Sequence, residues 1–122
     1  MKNLILMAVV ALLTISCTKQ TTDMKPYVIE VTTFQYEAEV DAAAFWKRDA
    51  AIETDYTSLQ PGYISRESGY SAEGNEVVVV VRWKSQADAQ ASMEKFMSDA
   101  SVADYAAMID ANTMKMMRYE VK

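Results

Sequence analysis

Apolar and polar positions divide the chain into stretches of different period. An apolar run from Leu4 to Ile15 follows the short basic start Met1-Lys2-Asn3 and ends just before Cys17, and the polar stretch Thr18 to Lys25, closed by Pro26, carries no apolar periodicity. Tyr27 to Tyr36 is rich in β-branched and aromatic residues and predicts a strand. Asp41 then predicts the N-cap of a helix whose apolar positions, Ala42, Phe45, Ile52, Tyr56 and Leu59, recur at three- and four-residue steps until Pro61-Gly62. Tyr63 to Tyr70 and Glu76 to Trp83 read as strands joined through Ser71-Ala72-Glu73-Gly74-Asn75, which predicts an antiparallel hairpin. Ser85 with Asp88 predicts a capped helix carrying Ala89, Met93, Phe96 and Met97 on one side. Ser101 is expected to open a further helix with Val102, Tyr105, Met108 and Ile109, and Thr113 to Val121 the last strand.

The resulting order, β-α-β-β-α-β with an extra helix, is the split arrangement of ferredoxin-like α+β folds with an antiparallel sheet. Residues 77–81 are all valine. Neighbouring strand residues face opposite sides, so Val77, Val79 and Val81 lie on one face and Val78 and Val80 on the other. Helices on one side of a four-stranded sheet leave one valine set in water. The expected cover is the same face of a second copy, a face-to-face homodimer.

Several local motifs carry a family resemblance. Gln60-Pro61-Gly62-Tyr63, the hairpin that follows, and Val79-Val80-Val81-Arg82-Trp83-Lys84-Ser85-Gln86-Ala87-Asp88-Ala89 resemble the antibiotic-biosynthesis monooxygenase-like (ABM) domains of the dimeric α+β barrel superfamily. The resemblance spans nearly all of Tyr27 to Val121 and implies a dimeric α+β barrel. Its relatives include oxygenases, haem-degrading enzymes and many members with no established activity, so it implies fold and dimer before it implies activity.

The N-terminal pattern bears on location. Leu13-Thr14-Ile15-Ser16-Cys17 resembles the lipobox of bacterial lipoproteins, with Thr14 where leucine is usual. The expected organisation is a signal peptide over 1–16, a lipidated cysteine and polar tether over 17–26, and an ABM-like domain over 27–122. A run of this length is short of the ~20 residues needed to span a bilayer, whereas two or three acyl chains on Cys17 would anchor durably. Thr18, in place of an aspartate, favours the outer membrane, with the domain in the periplasm or at the cell surface. Loss of Lys2 with the signal takes the net charge from −5 to −6 and leaves no basic cluster. Nucleic acid is therefore excluded as a partner.

The chain contains no histidine. Haem ligation by histidine, Ser-His-Asp or Cys-His nucleophiles and histidine-based zinc sites are thereby excluded. Set against the haem-degrading relatives, Thr32 and Thr33 stand where the resemblance asks for asparagine, and Ser92 stands near its tryptophan. No cofactor or metal is expected. Carboxylates, tyrosines, lysine and arginine suffice for the cofactor-independent oxygenation that the resemblance implies. In that reading Trp46, Tyr56, Tyr63, Trp83 and Tyr105 line a pocket for a small apolar or aromatic molecule, and Arg66 or Arg82 steadies an anionic substrate. The same aromatics fit a packed core equally well, and Arg66, Arg82 and Glu30 fit surface or inter-strand pairs. A non-catalytic ligand-binding or interaction module is a second reading. Cu(I) binding is a third, through Met93, Met97, Met108, Met114, Met116 and Met117, because thioethers select soft metals; packing explains the same methionines.

Overall fold

A computed structural model describes residues 26–122. The apolar run 4–15, Cys17 and the tether as far as Lys25 lie outside the described residues. Strand β1 (Tyr27–Tyr36) leads to helix α1 (Ala42–Asp55), then β2 (Tyr63–Ser71), β3 (Glu76–Trp83), α2 (Gln86–Phe96), α3 (Ala103–Ala107) and β4 (Ile109–Val121). The sheet order is β2-β3-β1-β4 with every neighbouring pair antiparallel, the ferredoxin-like α+β fold. No helix among the described residues is long and apolar enough to cross a membrane.

Local chemistry accounts for most boundaries. The Asp41 carboxylate accepts the Ala44 N–H at 2.9 Å and opens α1. Ser85 caps α2 by accepting the Asp88 N–H at 3.1 Å, while its hydroxyl donates to Asp88 Oδ2 at 2.8 Å. The Asp88 carboxylate thus takes the serine hydroxyl, and the reciprocal bond of a capping box to the backbone is replaced. Gly62 sits at φ 78° against this cap, where a Cβ would lie 2.1 Å from Asp88 Oδ2. Only glycine fits there.

Three boundaries differ from the periodicity. Helix α1 ends at Asp55 and a 3-10 turn, Thr57–Leu59, follows. Tyr56 leaves helical geometry, the angular step changes, and Leu59 swings out to 72% exposure; Ala42 is also exposed. Asp99, two residues before Ser101, caps the turn ahead of α3 by accepting the Ser101 N–H at 2.9 Å. β4 begins at Ile109, four residues before Thr113, because Ile109 and Asp110 pair with Tyr36 and Gln35. A register shift follows, and there the Gln35 N–H donates to Thr113 Oγ1 at 2.8 Å.

Strand alternation sorts the valines. Val77, Val79 and Val81 join Val28, Phe34 and Trp83 against Phe45, Ile52, Tyr56, Ala89, Val102 and Tyr105 in one core. Every buried apolar side chain among the described residues belongs to that cluster. The opposite face carries Ile29, Val31, Val78 and Val80, half-buried by their sheet neighbours, with Met117 and Tyr119 exposed.

Candidate functional site

Asp49 lies on the buried stripe of α1, one turn after Phe45, and is 2% exposed. Two strand residues and one helix residue answer it. Arg66 of β2 donates to Asp49 Oδ1 at 2.6 Å and to Oδ2 at 3.4 Å, and Ser68 of the same strand donates to Oδ2. Tyr105 of α3 donates its hydroxyl to Oδ1 at 2.7 Å. Burial opposes the charge on Asp49, but the donors from Arg66, Ser68 and Tyr105 outweigh it and hold the carboxyl below the usual range. Burial likewise works against Arg66, and Asp49 more than restores it. Burial, then the Asp49 charge, pushes the Tyr105 phenol far above its ordinary value. This cluster is saturated: its carboxylate is ionised but occupied on both oxygens, and its phenol does not ionise near neutrality.

Beside the cluster, between sheet and helices, is a cavity of about 100 Å³. Phe34, Val79, Val81 and Trp83 of the sheet face Ile52, Tyr56, Phe96 and Tyr105 of the helical layer across it. Polar atoms enter from Glu30, Thr32, Thr57, Arg66 and Ser92, and Met93, Met97 and Met114 also line it. Met97 is 72% and Met114 38% exposed, so the cavity reaches the surface at a methionine rim. The Tyr56 hydroxyl donates to the Ser92 carbonyl at 2.8 Å, and burial raises that phenol. Glu30 is buried and takes Arg118 of β4 at 2.7 Å, an inter-strand pair on the inner face of the sheet. The Trp83 indole Nε1 finds no hydrogen-bond partner among the described residues, an omission worth about 1–3 kcal/mol.

Of the residues expected at a pocket, Tyr56, Arg66, Trp83 and Tyr105 meet at this cavity. Trp46, Tyr63 and Arg82 do not line it. Trp46 packs edge-on to Phe45 and Tyr70 at centroid distances of 5.1 and 6.3 Å. Tyr63 stands edge-on to Trp83 and donates to Glu53 at 2.5 Å, which raises its phenol. Arg82 lies on the opposite sheet face and pairs with Glu67 at 3.5 Å, because alternation from Val81 turns it outward. Arg66 is a buried ion-pair partner, not a free guanidinium for an anionic substrate. Asp49 and Ser68 were not anticipated, and Ser92 was singled out only for its place in the family comparison, not as a cavity residue. The signal for Asp49 and Ser92 was a polar residue on an apolar stripe, as in Phe45-Asp49-Ile52 and Ala89-Ser92-Phe96, and Ser68 carried none.

The six methionines do not all gather at one point. Met93, Met97 and Met114 line the cavity, Met108 packs on the core, Met116 lies opposite Thr32, and Met117 faces the other side of the sheet. Among the described residues no group of three or more histidine, cysteine, aspartate or glutamate side chains could hold a metal ion.

No protein-family model and no curated protein matches the chain. Solved structures do. SnoaB, a cofactor-independent oxygenase from Streptomyces nogalater, aligns over 79% of this chain and 93% of its own, with 14% identity and a TM-score of 0.62. A dimeric ferredoxin-like protein of unknown function from Thermobifida fusca aligns over 80% and 93%, with 12% identity and a TM-score of 0.62. A candidate antibiotic biosynthesis monooxygenase from Nitrosomonas europaea aligns over 78% and 86%, with 18% identity and a TM-score of 0.53. The chain shares their ferredoxin-like fold. At these identities the likeness carries the fold, not the chemistry.

The saturated cluster yields a pH prediction. Replacing Asp49 with asparagine strands the Arg66 guanidinium and is expected to cost about 3–5 kcal/mol at pH 7. The folded-state carboxyl titrates below its unfolded value, so its contribution is complete above about pH 4 and is lost as pH falls through the folded value. Urea denaturation of both proteins from pH 7 to pH 2.5 checks this: the gap between them should narrow on acidification, by at most about 2 kcal/mol at the acid end, where one proton is linked to unfolding.

Proposed function

We propose that the domain binds a small apolar or aromatic molecule in the cavity between sheet and helices. The observation that carries this reading is the cavity itself: an aromatic and aliphatic wall, a few polar atoms and an opening at the methionine rim. A void of ~150 Å³ takes benzene, so a single ring that projects toward the rim is the right scale. Fold likeness to a cofactor-independent oxygenase supports a monooxygenase-like extension, in which a bound electron-rich ring meets oxygen. Binding is the favoured reading, because Asp49 and Tyr105, the strongest acid-base candidates nearby, are locked to each other. Fluorescence titration of the protein with toluene should saturate. Ser92→Phe, which fills the cavity at an expected cost of about 1–3 kcal/mol, should abolish the response; a non-saturable response in the wild type overturns the reading.

The domain acts as a homodimer joined through the face that carries Ile29, Val31, Val78 and Val80. Support comes from that apolar face and from the dimeric neighbour of the same fold. Full burial of an exposed valine contributes ~1.5–3 kcal/mol, and these side chains, half-buried within the sheet, gain part of that at the interface. Changing Val78 and Val80 together to lysine should yield a folded monomer by light scattering with unchanged helical circular dichroism, whereas a wild-type protein that is monomeric at micromolar concentration removes the dimer.

The module is held at the cell envelope through acylated Cys17. The support is the lipobox-like Leu13 to Cys17 and the short apolar run before it. Metabolic labelling with a radioactive fatty acid should mark the wild type and not Cys17→Ser; equal label on both would exclude the anchor.

A further inference from the structure

Glu30 is the one carboxylate on the cavity wall among the described residues. Strand alternation turns it inward between Val28 and Thr32, and its side chain is 6% exposed. Two carboxylate oxygens offer about four acceptor positions. Arg118 Nε fills one, at 2.7 Å from Oε2, and Arg118 is held in turn by Gln90 Oε1 at 2.9 Å. Among the described residues Oε1 receives no hydrogen bond. The cavity's other strong polar groups are engaged: Tyr56 with the Ser92 carbonyl, Arg66 and Tyr105 with Asp49. Apart from the Trp83 indole N–H, which is buried without a partner, the strongest free group is thus an acceptor oxygen at the edge of an aromatic chamber. Its charge is already countered by Arg118, so it calls for a neutral donor and not a cation.

We propose that Glu30 is the polar anchor of the cavity and selects a single aromatic ring bearing a hydroxyl, whose O–H donates to Oε1. This rests on the ligand-binding reading above and adds the ligand's polar end. Phe34, Tyr56, Val79 and Phe96 hold the ring, and Arg118 with Gln90 fixes the carboxylate so that the donor direction is set before the ligand arrives. Glu30 is a specificity residue here, and no bond is made or broken.

The test is isothermal titration of the unacylated Cys17→Ser full chain with phenol, anisole and toluene. Anisole keeps the ring and the oxygen but lacks the donor. Phenol should bind about tenfold more tightly than anisole despite being the more polar solute, since a hydrogen bond to a charged acceptor is worth about that much. Glu30→Met in the same background should weaken phenol about tenfold and leave toluene within a factor of about two. Toluene binding with phenol no tighter than anisole would overturn the anchor while leaving the cavity reading intact. No binding of any ring would overturn both. If Glu30→Met fails to fold, the phenol–anisole comparison in the parent chain decides the question alone.

Discussion

The buried pair between Asp49 and Arg66 is the constraint on which the arrangement depends. Removing both charges from water costs several kcal/mol per ion, and only good geometry with further hydrogen bonds offsets that cost. Here the guanidinium reaches both carboxylate oxygens, and Ser68 and Tyr105 fill remaining acceptor positions. The pair therefore ties three elements at one point: α1 through Asp49, β2 through Arg66 and Ser68, α3 through Tyr105. A helix on a sheet can slide by a turn at modest apolar cost, but this one cannot without stranding a charge. With Asp49 fixed, Phe45 is committed to the aromatic cluster with Phe34, Tyr36 and Tyr105, and Ile52 and Tyr56 are committed to the cavity.

The same pair sets the cavity's chemistry. Tyr105 presents its ring to the chamber while its hydroxyl is drawn to Asp49, and the Arg66 head group is drawn to the same place. Long polar side chains thus line the space with their apolar bodies. A chamber partly built from arginine and tyrosine ends up largely apolar. That outcome favours retention of a ring over acid-base work on it, and it makes the open oxygen of Glu30 the more distinctive feature.

Much of the fold was legible because its signals are local. A β-branched and aromatic run marked β1, the valine run and the glycine-containing loop marked the β2–β3 hairpin, the Asp41 and Ser85 caps gave two helix starts, and the five consecutive valines required two apolar faces. Two of the three misplaced boundaries share a cause. At Tyr56 and around Ala100 the chain tightens into 3-10 turns, so extrapolating a 3.6-residue period puts Leu59 and Ser101 in the wrong roles. The site was less legible because its key contacts link distant positions. Aromatic spacing located Tyr56 and Tyr105, yet nothing local pairs Asp49 with a residue on β2. An aspartate on an apolar helical stripe is nonetheless a signal, since a buried carboxylate requires a cation. Arg66 was the available answer. Glu30 carried the same signal in strand form, an acid at an inward position between Val28 and Thr32.

The outward face of the sheet presents a different problem, because an apolar patch on a domain proposed to be tethered to lipid has two possible covers, bilayer or protein. Its composition distinguishes them. Ile29, Val31, Val78 and Val80 make an apolar centre, and Glu67, Arg82 and Lys115 bring charges of both signs to the same face. A surface that lies on an anionic bilayer needs a basic polar margin, and an acidic residue there is repelled. An apolar core with a mixed-charge margin is the anatomy of a protein interface. The Arg82–Glu67 pair spans adjacent strands at 3.5 Å and leaves both side chains partly exposed. The inner face of the sheet is therefore suited to a small molecule and the outer face to a protein partner, which is the ground for the proposed homodimer, with β1 and β3 contributing to both faces through alternate side chains.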